Sequence, residues 1–314
     1  MKTSPAKIIF LGTPEFAVPA LLKLVEAGYL PELVITQPDR PAGRKQELIA
    51  PPVKVAALKL GLKVIQPNNK KELIEIIKSQ PIDLAILVAF GMIIPKEILT
   101  WPRLGFLNLH PSLLPAYRGS SPIQTAILNG ETKTGVSIIG LTDKVDAGPI
   151  YIQKESAIDD KDTAEDVFKK MAVIGAEQIV NILPGYLMGE IMPKIQDDKL
   201  ATFTKIFDRQ DGQINWQNSA QQILRQFKAF FPWPGIFTHY AGKRLKIANL
   251  SVSEGNSEGN SVPGTIFLTN SGQLAVGCGQ GAVVLDKIQL EGKKEMSGRD
   301  FFAGQKDLVG KVLN

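Results

Sequence analysis

The apolar run that begins at Leu104 ends on Asn108-Leu109-His110. It continues into Pro111-Ser112-Leu113-Leu114-Pro115 and then Tyr117-Arg118-Gly119. Alternate residues of a strand share a face, so Asn108 and His110 would point the same way. A carboxamide donates neutral hydrogen bonds and can hold a developing oxyanion. An imidazole moves protons near neutral pH. Together they suit chemistry at a carbonyl carbon. Asp146, in Lys144-Val145-Asp146-Ala147-Gly148, is the candidate third member, able to orient the imidazole, set its charge or relay a proton. Each piece also has a plain structural reading. An Asn-x-His pair can bond loop backbone at a strand end, and an Asp before Ala-Gly is ordinary turn chemistry. Context favours the chemical reading. The chain has two histidines, and His110 falls just past a buried-type strand, beside a loop with two prolines, a serine and an arginine. Open α/β sheets carry their sites at such places. The other, His239, is read as structural.

The surrounding pattern supplies such a sheet. Strand-like runs fall at 7–11, 33–36, 63–65, 84–89 and 104–110, with later ones at 136–141 and 150–156. Helical patterns at 14–27, 53–60 and 69–79 alternate with them, and a long helix covers 163–188, capped at Asp162 or Thr163 and kinked at Pro184. Short apolar strands between amphipathic helices predict a Rossmann-like, doubly wound parallel α/β sheet. A polar, extended connector follows. After a helix at 218–230 come five short strand-like runs, at 236–240, 244–252, 264–269, 273–277 and 282–290, separated by glycine turns. That spacing predicts a small OB-like β-barrel, a fold that often binds oligonucleotides. The expected division is a catalytic domain over 1–189, a linker over 190–208 and the barrel over 209–314. Residues 253–261 read as a low-complexity polar loop without an assigned role.

Composition sets further bounds. The chain has 314 residues and 44% hydrophobic content, enough for two domains with sizeable cores. Cys278 is the only cysteine, so no disulfide can form within the chain, and a reducing, cytoplasmic setting is expected. No stretch reads as a signal peptide or approaches the ~20 apolar residues of a membrane span. A single cysteine and two distant histidines offer no zinc ligand set, so no metal is expected. Net charge is +5, and residues 208–314 carry 12 basic and 9 acidic side chains. This mild excess permits an anionic partner.

Further segments bear on binding. Gln37-Pro38-Asp39-Arg40-Pro41-Ala42-Gly43-Arg44 is a turn-rich loop long enough to project past the sheet. Its guanidiniums, with Lys45 beside them, suit phosphate. Arg44 is the stronger candidate for an active-site contact. Val88-Ala89-Phe90-Gly91-Met92 follows an apolar strand, and its backbone could bond a flat heterocycle; Phe90 and Met92 read equally well as core. Gly12-Thr13-Pro14 lacks the Gly-x-Gly-x-x-Gly spacing of a dinucleotide site, which argues against a nicotinamide enzyme. In the barrel, Lys243, Arg244, Lys246, Lys287, Lys293 and Lys294 are candidates for backbone phosphate contacts. The aromatic stretch Phe231–Gly235 reads as packing rather than a stacking platform.

Gly12-Thr13-Pro14-Glu15-Phe16, the Gln37–Arg44 loop, Asn-x-His with Ser-Leu-Leu-Pro and Tyr-Arg-Gly, Asp146-x-Gly148 and Gly292-Lys293-Lys294-Glu295-Met296-Ser297-Gly298 together carry a resemblance. Over essentially its whole length the sequence resembles the methionyl-tRNA formyltransferases. The Asn-x-His-x-Ser-Leu-Leu-Pro element alone marks the wider group of 10-formyltetrahydrofolate-dependent transferases and hydrolases. The resemblance implies that Asn108, His110 and Asp146 are catalytic. It implies that Ser112, Leu113, Leu114 and Pro115 lie on the folate co-substrate, with Phe90 and Gly91 beside it. Arg40, Arg44 and Lys45 would meet the acceptor end of methionyl initiator tRNA, joined by Lys243, Arg244, Lys246 and Lys293 from the barrel. The chain is expected to act as a monomer. The rival expectation is a formyltransferase for a small amine, such as a nucleotide or an amino sugar.

Overall fold

The computed structural model describes residues 6–42, 46–253, 262–305 and 307–314. They form two compact units. One holds the described residues of 1–122, 133–157 and 168–204, and the other those of 123–132, 158–167 and 205–314.

The elements that build the first half, in chain order, are β1 (Ile8–Gly12), α1 (Val18–Glu26), β2 (Leu33–Ile35), β3 (Arg40–Ala42), β4 (Glu47–Ile49) and α2 (Pro52–Lys59). Then come β5 (Val64–Ile65), α3 (Lys70–Lys78), β6 (Leu84–Val88), α4 (Lys96–Leu99) and β7 (Phe106–His110). They are followed by α5 (Pro122–Asn129), β8 (Lys133–Gly140), β9 (Ile150–Ala157) and α6 (Ala164–Met188). The main sheet runs β5-β2-β1-β6-β7-β8-β9. Its first five strands are parallel, and β1 and β6 are continuous apolar segments because both their faces are covered. Ile9, Leu11, Leu33, Ile35, Ala85 and Phe106 share one core cluster with Leu73 and Ile77 of α3.

The parallel Rossmann-like sheet expected from sequence is present in β5-β2-β1-β6-β7, and β8 and β9 extend it as antiparallel strands. Residues 141–149 between them are too short for a helical crossover. Residues 40–42 of the Gln37–Arg44 segment form a strand rather than a loop. β3 and β4 pair as a hairpin, with Arg40 opposite Ile49 and Ala42 opposite Glu47. Arg44 and Lys45 lie outside the described residues, as does nearly all of the polar loop near 253–261.

Helix α6 continues through Pro184. Thr163 Oγ1 accepts from Asp166 N and donates to the Asp166 carboxylate, closing its N-terminus. By length and apolar composition alone, α6 is the one described helix that reaches membrane-spanning values. Its Met171, Ala176, Ile179 and Leu183 are buried. A Cβ on Gly175 would press into the Leu109 side chain, so α6 packs tightly against the strand that carries the polar pair.

The second unit holds α7 (Ala220–Phe230), β10 (Ile236–Tyr240), β11 (Lys243–Val252), β12 (Ile266–Leu268), β13 (Leu274–Gly277), β14 (Ala282–Leu290), β15 (Met296–Ser297) and α8 (Gly298–Ala303). Ser219 and Gln222 form a capping box at the start of α7. The strands form one antiparallel sheet in the order β10-β11-β14-β13-β12, with β15 on β14. Residues 310–314 join its two edges. Ile266 N donates to Lys311 O and Leu313 N to Gly264 O, each within 2.9 Å, while His239 N donates to Asn314 O at 2.8 Å. Thr238 Oγ1 also donates to Asn314 O and accepts from Trp216 Nε1. The curled sheet closes into a small barrel through this segment.

Candidate active site

β7 is the last parallel strand, and β8 beside it runs the other way, so the polar pair sits at the seam between the two halves of the sheet. Asn108 stands opposite Leu87 and Ile139, and His110 opposite Ser137. Both are buried, Asn108 at 7% and His110 at 4% exposure. Among the described residues, nothing hydrogen-bonds the Asn108 carboxamide. A buried, uncommitted amide at the carboxyl end of a parallel strand is a donor held ready.

Asp146 reaches His110 from the β8–β9 connection. Its Oδ2 lies 3.5 Å from His110 Nδ1 and accepts a 2.8 Å hydrogen bond from Gly119 N. The other ring nitrogen, His110 Nε2, lies 2.9 Å from the Tyr117 carbonyl. Burial pushes the His110 pKa below 6.5; the charge of Asp146 and the Tyr117 carbonyl oppose that shift without overcoming it. The ring is therefore neutral at neutral pH. A neutral imidazole facing a carboxylate, next to a free amide, can accept a proton from an attacking amine while the amide steadies the oxyanion.

The two loops that touch His110 carry backbone strain. Tyr117 has φ +62° and Asp146 φ +48°. The left-handed region is tolerated by Asp and costly for a bulky Tyr, and such outliers gather at functional sites. Gly148 explains the Asp-x-Gly spacing. A Cβ there would overlap the Gly140 carbonyl oxygen, so only glycine lets the turn close against β8.

The residues expected on the folate divide into two groups. The Ser112 hydroxyl donates to Ala116 O at 2.7 Å, and the Leu114 side chain packs with Ile139 and Ile150. Ser137 Oγ ties the segment down: it donates to Ser112 O and accepts from Leu114 N and from Gln153 Nε2. These side chains shape the loop; Leu113 and Pro115 are partly exposed, and Leu113 packs over Gly135 of β8. The Phe90 ring is 1% exposed within the core cluster, and its carbonyl accepts from Thr13 Oγ1. What that segment can offer a ligand is backbone, turned by Ala89 and Gly91 at positive φ.

Of the basic candidates, Arg40 is exposed at the hairpin base and donates to Gln37 Oε1 at 3.2 Å. Below it, Lys54 bonds both Asp39 oxygens and Gln66 Nε2 bonds Asp39 Oδ1; these contacts lower the Asp39 pKa, the Lys54 hydrogen bond most. In the barrel, Arg244 and Lys246 lie on the outer face of β11, where Arg244 stacks 3.6 Å from the Phe237 ring centre. Lys243 starts the same strand, and Lys293 follows β14 in a turn whose carbonyl accepts from Gln289, the partner of Lys246. The structure thus gathers Lys243, Arg244, Lys246 and Lys293 at one end of the β11–β14 pair. His239 pairs with Arg244 and stands edge-on to Phe237.

Sequence reasoning missed Gln196. It lies in the segment read as a connector, yet its side chain is buried and bonds the backbone of the Asp146 turn. No spacing signal could have found it, since its partners are some fifty and eighty residues away in the chain.

These features define the class: the model described as Formyl transferase matches residues 6–183, and that described as Formyl transferase, C-terminal domain matches 207–306. A methionyl-tRNA formyltransferase of Thermodesulfovibrio yellowstonii is 43% identical over 301 residues, covering 95% of this chain and 96% of the relative. One from Geotalea uraniireducens is 39% identical over 309 residues, covering 98% and 97%. The chain belongs to the methionyl-tRNA formyltransferase family. Among solved structures, WlaRD, a sugar 3N-formyl transferase in the presence of dTDP and 5-N-formyl-THF, superposes with a TM-score of 0.66 at 21% identity, covering 93% of this chain and all of the other. At that identity the likeness concerns the fold.

Proposed function

We propose that the protein transfers the formyl group of 10-formyltetrahydrofolate to the α-amino group of methionyl initiator tRNA, without a metal. The observation that carries this reading is the buried Asn108 amide, without a hydrogen-bond partner among the described residues, two residues from the neutral His110 and its Asp146. The neutral amine attacks the formyl carbon. Asn108 donates to the tetrahedral oxyanion, His110 accepts the amine proton or shares the oxyanion, and Asp146 orients the ring and stabilises its charged form. The formyl C–N bond to the folate then breaks, and the folate nitrogen takes a proton.

Ser112, Leu113, Leu114 and Pro115, with the backbone of Phe90 and Gly91, form the folate wall in this reading. Arg40, Arg44 and Lys45 meet the acceptor end of the tRNA, and Lys243, Arg244, Lys246 and Lys293 follow its phosphates. Residues 1–189 carry the chemistry, 190–208 link, and 209–314 bind tRNA. A cytoplasmic monomer suits the single buried cysteine. The test is formyl transfer by the full chain. The reading requires N-formylmethionyl-tRNA as product, unaffected by a strong chelator. Transfer only to nucleotide amines or amino sugars would replace it with the small-amine reading.

A further inference from the structure

The segment 194–204 is bonded to both loops that touch His110. Lys194 and Ile150 exchange backbone hydrogen bonds of 2.8 Å, which fixes one end beside β9. Further on, Arg118 N donates to Thr202 O and Thr204 N donates to Arg118 O, both at 2.8 Å. Tyr117 N donates to Thr202 Oγ1 and Ser121 N to Thr204 Oγ1. Between these anchors sits Gln196. Its Nε2 donates to Asp146 O at 2.8 Å and to Gly148 O at 2.7 Å, and its Oε1 accepts from Arg118 Nε and Nη2 at 3.1 and 2.8 Å. Arg118 and Gln196 are 4% and 9% exposed, and the second partner of Arg118 is Asp198 at 2.8 Å.

We propose that 194–204 is a positioning strap for the active site and that Gln196, held by Arg118, locks the Asp146 turn against His110. The proposal rests on the catalytic roles given to His110 and Asp146. The chemistry admits few residues at 196. Two carbonyls converge on one side and a guanidinium on the other, so the group between them must donate twice and accept twice. A carboxamide does this. A carboxylate would face the two carbonyls with no proton to give, and a cation would meet Arg118. Each catalytic loop is thereby tied to the same side chain: Arg118 belongs to the loop whose Tyr117 carbonyl and Gly119 amide contact His110 and Asp146, and Gln196 holds the turn that bears Asp146. A loosened turn moves the carboxylate away from the imidazole, and displacements near 1 Å cost about a hundredfold in rate.

The test uses full-length Gln196→Glu and Gln196→Met beside Asp146→Asn, assayed for formyl transfer to methionyl initiator tRNA across pH. Gln196→Glu keeps volume and the Arg118 contact while losing both donors, so it reads the proposal even where Gln196→Met folds poorly. We expect kcat to fall about 10- to 100-fold, with KM for both substrates nearly unchanged. The acid limb of the kcat profile should move to lower pH, because His110 loses the carboxylate that supports its charged form. Arg118→Met combined with Gln196→Met should be no worse than the poorer single variant, since they break one linkage. Wild-type kcat and an unmoved pH profile in folded Gln196 variants, with Asp146→Asn inactive, would overturn the strap and leave the site reading intact. A lowered melting temperature alone would overturn it too. Wild-type kcat in Asp146→Asn would remove the site reading and the strap together.

Discussion

His110 Nδ1 and Asp146 Oδ2 lie 3.5 Å apart, while His110 Nε2 lies 2.9 Å from the Tyr117 carbonyl oxygen. A carbonyl only accepts, so in the neutral ring the hydrogen belongs on Nε2 and the lone pair of Nδ1 faces the carboxylate. A proton taken up at Nδ1 is at once shared with Asp146. The two side chains handle one proton as a unit, which is what a base next to an attacking amine requires.

The first prediction follows from that environment. Burial lowers the His110 pKa below 6.5. With two histidines in the chain, ring-proton NMR resolves them, and His110 should titrate below 6.5 and lower still in Asp146→Asn. The sign for stability follows by linkage. Below 6.5 the unfolded ring binds a proton that the folded ring does not, so this group destabilises the fold as pH falls from 6.5 toward the folded pKa and has no effect above 6.5. A His110 titration above 6.5 would contradict the account.

Gly148 should be intolerant of any side chain. A Cβ would overlap the Gly140 carbonyl oxygen, so Gly148→Ala must open the turn that carries Asp146. The expected loss is about a hundredfold in kcat, with the protein still folded. Steady-state kinetics together with a melting curve checks it; a Gly148→Ala enzyme of wild-type kcat would show that the turn need not be tight.

Much of this site was legible in the residues. β7 announces itself because an apolar run ends on two polar residues at strand parity, and the parity holds: Asn108 and His110 are both buried at the sheet seam. The parallel strands and helices α1, α2 and α3 were readable for the same reason, period against period; the short helices α4 and α5 were not. What else escaped depended on long-range pairing. The antiparallel return of β9 onto β8 is decided by how far residues 141–149 can reach, not by their own pattern. The pairing of Arg40–Ala42 with Glu47–Ile49 falls in a stretch dominated by proline and glycine signals. Gln196 and the 310–314 segment act through partners far away in sequence, where periodicity carries no information.

The barrel closure yields a stability prediction. Leu313 is 2% exposed, and its backbone bonds the β12 edge. Leu313→Ala should cost about 2–4 kcal/mol through transfer and cavity terms. Removing residues 311–314 should cost at least as much, because both sheet edges then lose partners. Denaturant unfolding followed by tryptophan emission is suited to this, since Trp216 bonds the Thr238 hydroxyl that also donates to Asn314 O. An unchanged midpoint would mean the sheet does not need the segment.

The basic end of β11 should act through phosphates. Arg244, Lys246 and Lys293 lie together there. Replacing Lys246 with Ala should weaken tRNA binding for any sequence and reduce the slope of log K against log salt by about 1. Filter binding at several ionic strengths measures both. A slope equal to that of the wild type would exclude Lys246 from the interface.

The central claim is that the uncommitted Asn108 amide stabilises the oxyanion of formyl transfer. Its most direct test is the rate of transfer from 10-formyltetrahydrofolate to methionyl initiator tRNA by the wild type and by Asn108→Ala, measured side by side at saturating substrates. The account predicts product from the wild type and a kcat lower by about 10²- to 10³-fold in the variant, with the fold retained. A folded Asn108→Ala enzyme that turns over at the wild-type rate would contradict it.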